Sequence, residues 1–429
     1  MPSLSLLVAL LAAGVTSPEL VARAHGLLEN LRAGDYAAFE AAGSPAMQAA
    51  FDAKKAQAAW VPVALALGPW EARISEEVET KGELIAVHVT DRYAHGELTV
   101  RLVFDAQARL TGFWIEGSKA SARPAPDPMS TATFTEVAVV VDAGGHPLPG
   151  LLTLPRHGGD ALPGVVLVHG SGPHDADESI GGVRVFRDLA HGLAADGVVV
   201  LRYAKRTFVH PTAMAAADWT MEAEIIDDAV AALKLLRAQA RVDPRRSFVV
   251  GHSLGAWAAP LIVARDPSVA GAVLLAGNAR RLGDVVLDQL RYLSAADDGR
   301  IGVLEHIQLS RARDGLADMR AGRSADDLAG LPAAYLARLE AVDPVAVAAR
   351  STVPLLILQG GRDYQVTTTD FDLWKGRLAG RAGVTTHLLP RLNHLFVAGD
   401  QPSVPAEYAV ASRVDPEVVR LIARWIHRP

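Results

Sequence analysis

The sequence predicts a two-part chain: a small α+β domain, then a larger α/β domain with a mostly parallel sheet and helices on both faces. Three observations carry this. At 429 residues the chain exceeds the size at which one hydrophobic core keeps growing. The segment Lys119–Met129, three prolines among small residues, has the composition of a linker. Before it helices precede short alternating strands, and after it strands and helices take turns, as crossover connections require.

The chain opens on the apolar run Leu4–Val15, of signal-peptide length, with small residues at Ala12–Gly14 and Val15–Ser17 as cleavage sites. Such a run is too short to span a bilayer, and Met1-Pro2-Ser3 lacks Lys or Arg. Residues 1–17 are therefore either an export signal, implying a secreted or periplasmic protein, or a buried helix of a cytoplasmic one. Over 18–118, Glu19–Leu31 places Leu20, Ala24, Leu27, Leu28 and Leu31 on one helical face, and Asp35–Ala42 continues after Gly34. Strands follow at Ala72–Glu77, Leu84–Asp91, Leu98–Phe104 and Leu110–Glu116. Helices before an antiparallel sheet resemble the nuclear-transport-factor-like modules in front of some bacterial hydrolases.

Residues 119–129 form the linker and 130–429 the larger domain. Thr135–Val141 and Gly150–Leu154 are an opening hairpin. Strands Val165–Val168, Val198–Leu201, Phe248–Val250, Ala270–Leu275, Pro354–Leu358 and Val384–Leu389 follow, with helices at Val185–Leu193, Glu224–Leu236 and Ala256–Ala264. A last helix, capped by Asp415 with Pro416 in its first turn, is expected to bury Val419, Ile422 and Ile426. The helical interval 278–350 breaks the rhythm as an insertion between two strands, and is either a lid or a decoration.

The main chemical signal is Gly251-His252-Ser253-Leu254-Gly255. A serine raised on a sharp strand-to-helix turn adopts a strained backbone, and a Cβ at Gly251 or Gly255 would strike the neighbouring chain. With 37 glycines the pentapeptide alone is weak, but it stands between a strand and an apolar helix. A serine hydroxyl needs a base. Of 14 histidines, His394 follows the last strand and satisfies the chain order Ser…Asp…His. Asp363, in the Gly-rich loop after Pro354–Leu358, is the carboxylate to orient that base; Asp370 and Asp372 fall in a helix. The two N–H donors of an oxyanion hole are expected from Leu254 and from His169-Gly170-Ser171-Gly172-Pro173, Ser171 first and Gly172 second.

These motifs, with Arg202-Tyr203-Ala204-Lys205-Arg206 and Ser171–Glu178, resemble the α/β-hydrolase superfamily from about Thr135 onward. In particular they resemble the EstD-type bacterial carboxylesterases, which also carry an extra N-terminal domain. The resemblance implies an α/β-hydrolase fold and a small-molecule ester substrate. It also puts Lys205 and Arg206 at the border of the site, against the alternative of a salt-bridged surface pair. Ala256 departs from relatives that carry a second glycine there.

Hydrolysis of carboxylic esters through an acyl-serine, without organic cofactor or metal, is the expectation. A thioesterase, a prolyl-oligopeptidase-like peptidase and a silent binding protein are the alternatives, the peptidase weakened because about one hundred residues are too few for a β-propeller. The absence of cysteine excludes thiolate chemistry. A net charge of −6 without a basic block gives no reason to expect nucleic acid, and no later segment predicts stable membrane insertion. Oligomeric state is not legible.

Overall fold

The computed structural model describes residues 17–67, 70–82, 84–93, 96–120, 129–210, 220–295, 303–323 and 333–428. The apolar run at 4–15 and most of the 119–129 linker lie outside these residues. The chain divides into two compact units, Met1–Ala122 and Arg123–Pro429.

In the first unit, helices Ser17–Ala33, Tyr36–Ala41, Pro45–Ala50 and Ala53–Leu67 precede strands β1 (Trp70–Lys81), β2 (Leu84–Tyr93), β3 (Gly96–Phe104) and β4 (Leu110–Ala120). The strands form one antiparallel sheet in chain order. The five apolar positions predicted on the first helix are all buried. In β3, Leu98, Val100, Leu102 and Phe104 are buried while the residues between them are half-buried, the period-2 pattern of a sheet with one covered face. The last two helices are missing from the sequence reading; the second contributes the buried Trp60 to this core.

The second unit is built on one eight-stranded sheet. The expected hairpin is β5 (Phe134–Asp142) with β6 (Pro147–Pro155), and β6 also pairs antiparallel with β10 (Val199–Tyr203). The remaining neighbours pair parallel: β10 with β7 (Leu162–Val168), β7 with β11 (Val242–His252), then β12 (Gly271–Leu275), β13 (Leu355–Gly360) and β14 (Val384–Leu389). A short ribbon, β8 (Ser179–Ile180) with β9 (Val183–Arg184), follows β7. The central strands are apolar on both faces. Val166 and Val168 of β7 enter one core, with Leu233 and Ile262; Val165 and Leu167 enter the other, with Leu189 and Ile422. This two-sided burial explains why these strands appear as continuous apolar runs rather than alternations.

Two helices need correction. The stretch predicted from Glu224 begins with a π-helical turn, Glu222–Ile226, before the α-helix Asp227–Arg237. The C-terminal helix Pro416–Ile426 buries Val418, Ile422, Ala423, Trp425 and Ile426, whereas Val419 is half-buried. Positions 418, 422 and 426 are the i, i+4, i+8 stripe. Val419 lies beside it against Gly192, where a Cβ would come within 2.7 Å of its side chain.

Between β12 and β13 lie helices Leu282–Ala295, Val303–Arg320, Ala333–Glu340 and Pro344–Arg350. Val286, Leu316 and Leu336 form a small core of their own, while Tyr335, Leu339, Val345 and Ala348 join the main one.

Candidate active site

The sheet order reverses direction around β7: the chain goes from β7 to β10 on one side, then crosses to β11 on the other. In open α/β sheets the crevice at the carboxyl ends of such strands is where ligands bind. The loop after β7 begins at His169 and the turn after β11 is Ser253, so the two segments singled out in the sequence are neighbours here.

Ser253 has φ 53° and ψ −116°, a left-handed conformation for a non-glycine residue, and helix Leu254–Arg265 begins immediately after it. The flanking glycines are demanded by contact. A Cβ on Gly251 would sit 2.2 Å from the Gly255 carbonyl oxygen, and one on Gly255 would sit 2.1 Å from that of Val168. The serine N–H donates to Leu275 of β12 at 2.8 Å, which fixes the turn from its other side. Across the crevice, a Cβ on Gly170 would come within 3.2 Å of the Ser253 Cβ, so the β7 loop lies against the serine. Among the described residues, the N–H groups of Leu254, Ser171 and Gly172 have no backbone partner. Gly172 itself has φ 90°.

His394 and Asp363 are brought together. Nδ1 of the imidazole is 2.7 Å from Asp363 Oδ2, and both residues are buried. Every bond to the carboxylate comes from a donor: the N–H groups of Gln365 (2.8 Å) and Val366 (3.0 Å) to Oδ1, and Gln359 Nε2 (3.0 Å) to Oδ2. An ionised carboxylate accepts only, so these contacts hold Asp363 in one orientation and make His394 Nδ1 the protonated nitrogen. Nε2 is left as an acceptor. Among the described residues no hydrogen bond joins Ser253 Oγ to His394. The two loops are nevertheless tied one residue away, His252 Nε2 lying 3.0 Å from the His394 carbonyl oxygen, with the two imidazoles 4.9 Å apart between centroids. Asp370 is occupied elsewhere: it accepts from the Ala279 and Arg280 N–H groups and pairs with the Arg280 guanidinium.

Beneath the serine turn lies a buried charge cluster that sequence reasoning missed. His252 Nδ1 is 3.0 Å from Glu178 Oε2, and both side chains are almost fully enclosed. Its two ring nitrogens thus face a carboxylate and a carbonyl, an environment that favours the imidazolium form. Burial alone would depress its pKa; the Glu178 charge and these hydrogen bonds outweigh that and raise it. Burial would push Glu178 up, but the cationic His252 holds it down to about 2. Glu178 Oε1 accepts the Gly170 N–H at 2.8 Å. His169, by contrast, is pushed down to about 3 by its burial and is neutral.

Lys205 and Arg206 are not a surface pair. Lys205 Nζ lies 2.5 Å from Glu224 Oε1 and donates to the Gly170 carbonyl at 2.8 Å. Arg206 pairs with buried Asp228. The only hint in the sequence was that Glu178 and Lys205 fall in the segments carrying the family resemblance. Among the described residues no group of three or more His, Asp or Glu is arranged to hold a metal ion.

Residues 165–409 match the model of a family described as the alpha/beta hydrolase family. Residues 24–113 match that of a protein family of unknown function (DUF3887). Esterase EstD of Thermotoga maritima is 37% identical over 342 residues, 79% of this chain and 78% of that protein. Among solved structures, Est1E from Butyrivibrio proteoclasticus aligns with a TM-score of 0.44 at 16% identity, over 68% of this chain and 99% of that one. A hyperthermophilic esterase from the archaeon Pyrobaculum calidifontis aligns with a TM-score of 0.44 at 19% identity, over 68% and 84%.

Proposed function

The chain belongs to the α/β-hydrolase family, and from that premise we propose that it is a serine esterase cleaving carboxylic esters of small molecules. Ser253 is the nucleophile, His394 the base and Asp363 the carboxylate that orients and balances the base. The observation that carries the reading is the buried 2.7 Å contact between Asp363 and His394 Nδ1, which reserves Nε2 for a proton. The strained turn at Ser253 supports it, as does the resemblance to Esterase EstD.

In this mechanism His394 Nε2 takes the hydroxyl proton as Ser253 Oγ attacks the ester carbonyl carbon. The carbonyl oxygen becomes an oxyanion, held by the N–H groups of Leu254 and Ser171. His394 returns the proton to the leaving alkoxide as the carbon–oxygen bond breaks, leaving an acyl-serine. Water, deprotonated by the same imidazole, then attacks the acyl carbon, and the acid departs as the serine regains its proton. No cofactor or metal is needed for these steps.

Within the inserted interval, helix Leu282–Ala295 serves as a cover beside the Asp363 loop. It reaches that loop with Gln289 Nε2 donating to the Gln365 carbonyl at 2.9 Å and Tyr292 stacking on Tyr364 at 5.0 Å.

Hydrolysis of a series of p-nitrophenyl esters tests the proposal. It predicts turnover with a burst of p-nitrophenol matching the enzyme concentration, abolished in Ser253→Ala. Undiminished turnover by that variant, or none by the native chain on any ester, would overturn it.

A further inference from the structure

We infer that Lys205 is a positioning residue for the oxyanion hole, setting and polarising through the Gly170 carbonyl the peptide whose N–H belongs to Ser171. This deepens the serine-esterase reading above and rests on it.

The Lys205 ammonium is 2% exposed, and burying a charge is costly unless it is paired and hydrogen-bonded. Here one partner is Glu224, which also accepts the Tyr335 hydroxyl, and the other is the Gly170 carbonyl at 2.8 Å. Gly170 is gripped at both ends: its N–H donates to Glu178 Oε1 at 2.8 Å, its C=O accepts from Lys205, and it lies against the Ser253 Cβ. In a planar trans peptide the C=O of Gly170 and the N–H of Ser171 point opposite ways. The cation therefore directs the Ser171 N–H away from itself. It also draws electron density from the peptide through the carbonyl oxygen, which strengthens that N–H as a donor. The second acceptor that the buried ammonium takes is the carbonyl of a glycine packed against Ser253.

The test compares an ester with its thionoester, in which sulfur, a weak hydrogen-bond acceptor, replaces the carbonyl oxygen. Lys205→Met combined with Glu224→Gln removes the cation without stranding the carboxylate. In that variant kcat for the oxygen ester is expected to fall about tenfold or more while the thionoester loses much less, so the ester/thionoester ratio falls about tenfold. KM should stay near the native value. Equal losses on both substrates, or no loss, would overturn the inference. Should the double variant fail to fold, Lys205→Arg, which keeps the charge, is expected to hold the ratio within about threefold; a folded Lys205→Arg chain with a collapsed ratio would equally overturn it. Fluorophosphonate labelling keeps the two proposals apart. A native chain that does not label removes the esterase reading itself, whereas a labelled chain whose ratio ignores Lys205 removes only this role.

Discussion

Asp363→Asn isolates the orienting carboxylate with almost no change in volume. In the native chain Oδ1 accepts from two backbone N–H groups and Oδ2 from Gln359 Nε2 and His394 Nδ1. The asparagine oxygen will keep the two backbone donors, since an NH2 there would oppose both. Its NH2 then replaces Oδ2 and meets two donors. Gln359 Nε2 has alternatives, the carbonyls of Gly360 and Val366, but His394 has none. The imidazole relieves the clash by moving its proton to Nε2, where it blocks the nitrogen that must take the serine proton. Loss of the charge also removes the stabilisation of the imidazolium formed during attack. Together these effects are worth about four powers of ten in kcat. Exchanging the charge-assisted contact with His394 for a neutral one costs about 1 kcal/mol of stability. Steady-state kinetics on a p-nitrophenyl ester, with a thermal melt of the same preparation, measures both. A folded Asp363→Asn chain within tenfold of native kcat would refute the reasoning.

Gly255→Ala should yield insoluble or inactive protein, because the new Cβ would sit 2.1 Å from the Val168 carbonyl oxygen, a backbone atom that cannot step aside; a soluble, active variant contradicts the contact. Arg202 is buried between Glu136 at 2.8 Å and Asp177 at 2.9 Å; Arg202→Met leaves the buried Asp177 without its cation, while Glu136 keeps His191 at 2.9 Å, so a cost of about 3 kcal/mol in denaturant unfolding is expected. The Glu178–His252 pair shapes stability against pH. Glu178 titrates at about 2 in place of 4.5, so its share is present above 4.5 and lost as pH falls toward 2. His252 is raised from 6.5, so its share is full below 6.5 and lost as pH rises through the raised value. Unfolding midpoints of Glu178→Gln should therefore fall off less steeply than those of the native chain as pH rises above 6.5, and identical alkaline profiles would count against the pair.

The strands of the larger domain were legible because burial on both faces leaves no polar residue to interrupt runs such as Val165–Val168. Asp363 and His394 were legible because a loop after a strand end is where a side chain can leave the sheet, and chain order thinned their rivals. Asp370 was set aside because it falls in a helix, as it does in Thr368–Arg377; its pairing with Arg280, which gives it a separate duty, shows only in three dimensions. Helix Ala53–Leu67 went unread because its segment lacks a clear polar face to set a period. The resemblance put Lys205 at the border of the site, but the pairings within the cluster of Glu178, His252, Lys205 and Glu224 were not legible, for a different reason. Its members are up to 74 residues apart by number (178 to 252), and a charged residue in a sequence is ordinarily a solvated one. Nothing local marks a lysine whose partner is a carbonyl 35 residues earlier.

Fluorophosphonate labelling of the intact chain, followed by peptide mapping, bears most directly on the central claim. Phosphonylation confined to the Ser253 hydroxyl, slowed when Asp363 or His394 is replaced, is the outcome expected. Modification at another serine, or labelling that persists in Ser253→Ala, would contradict it.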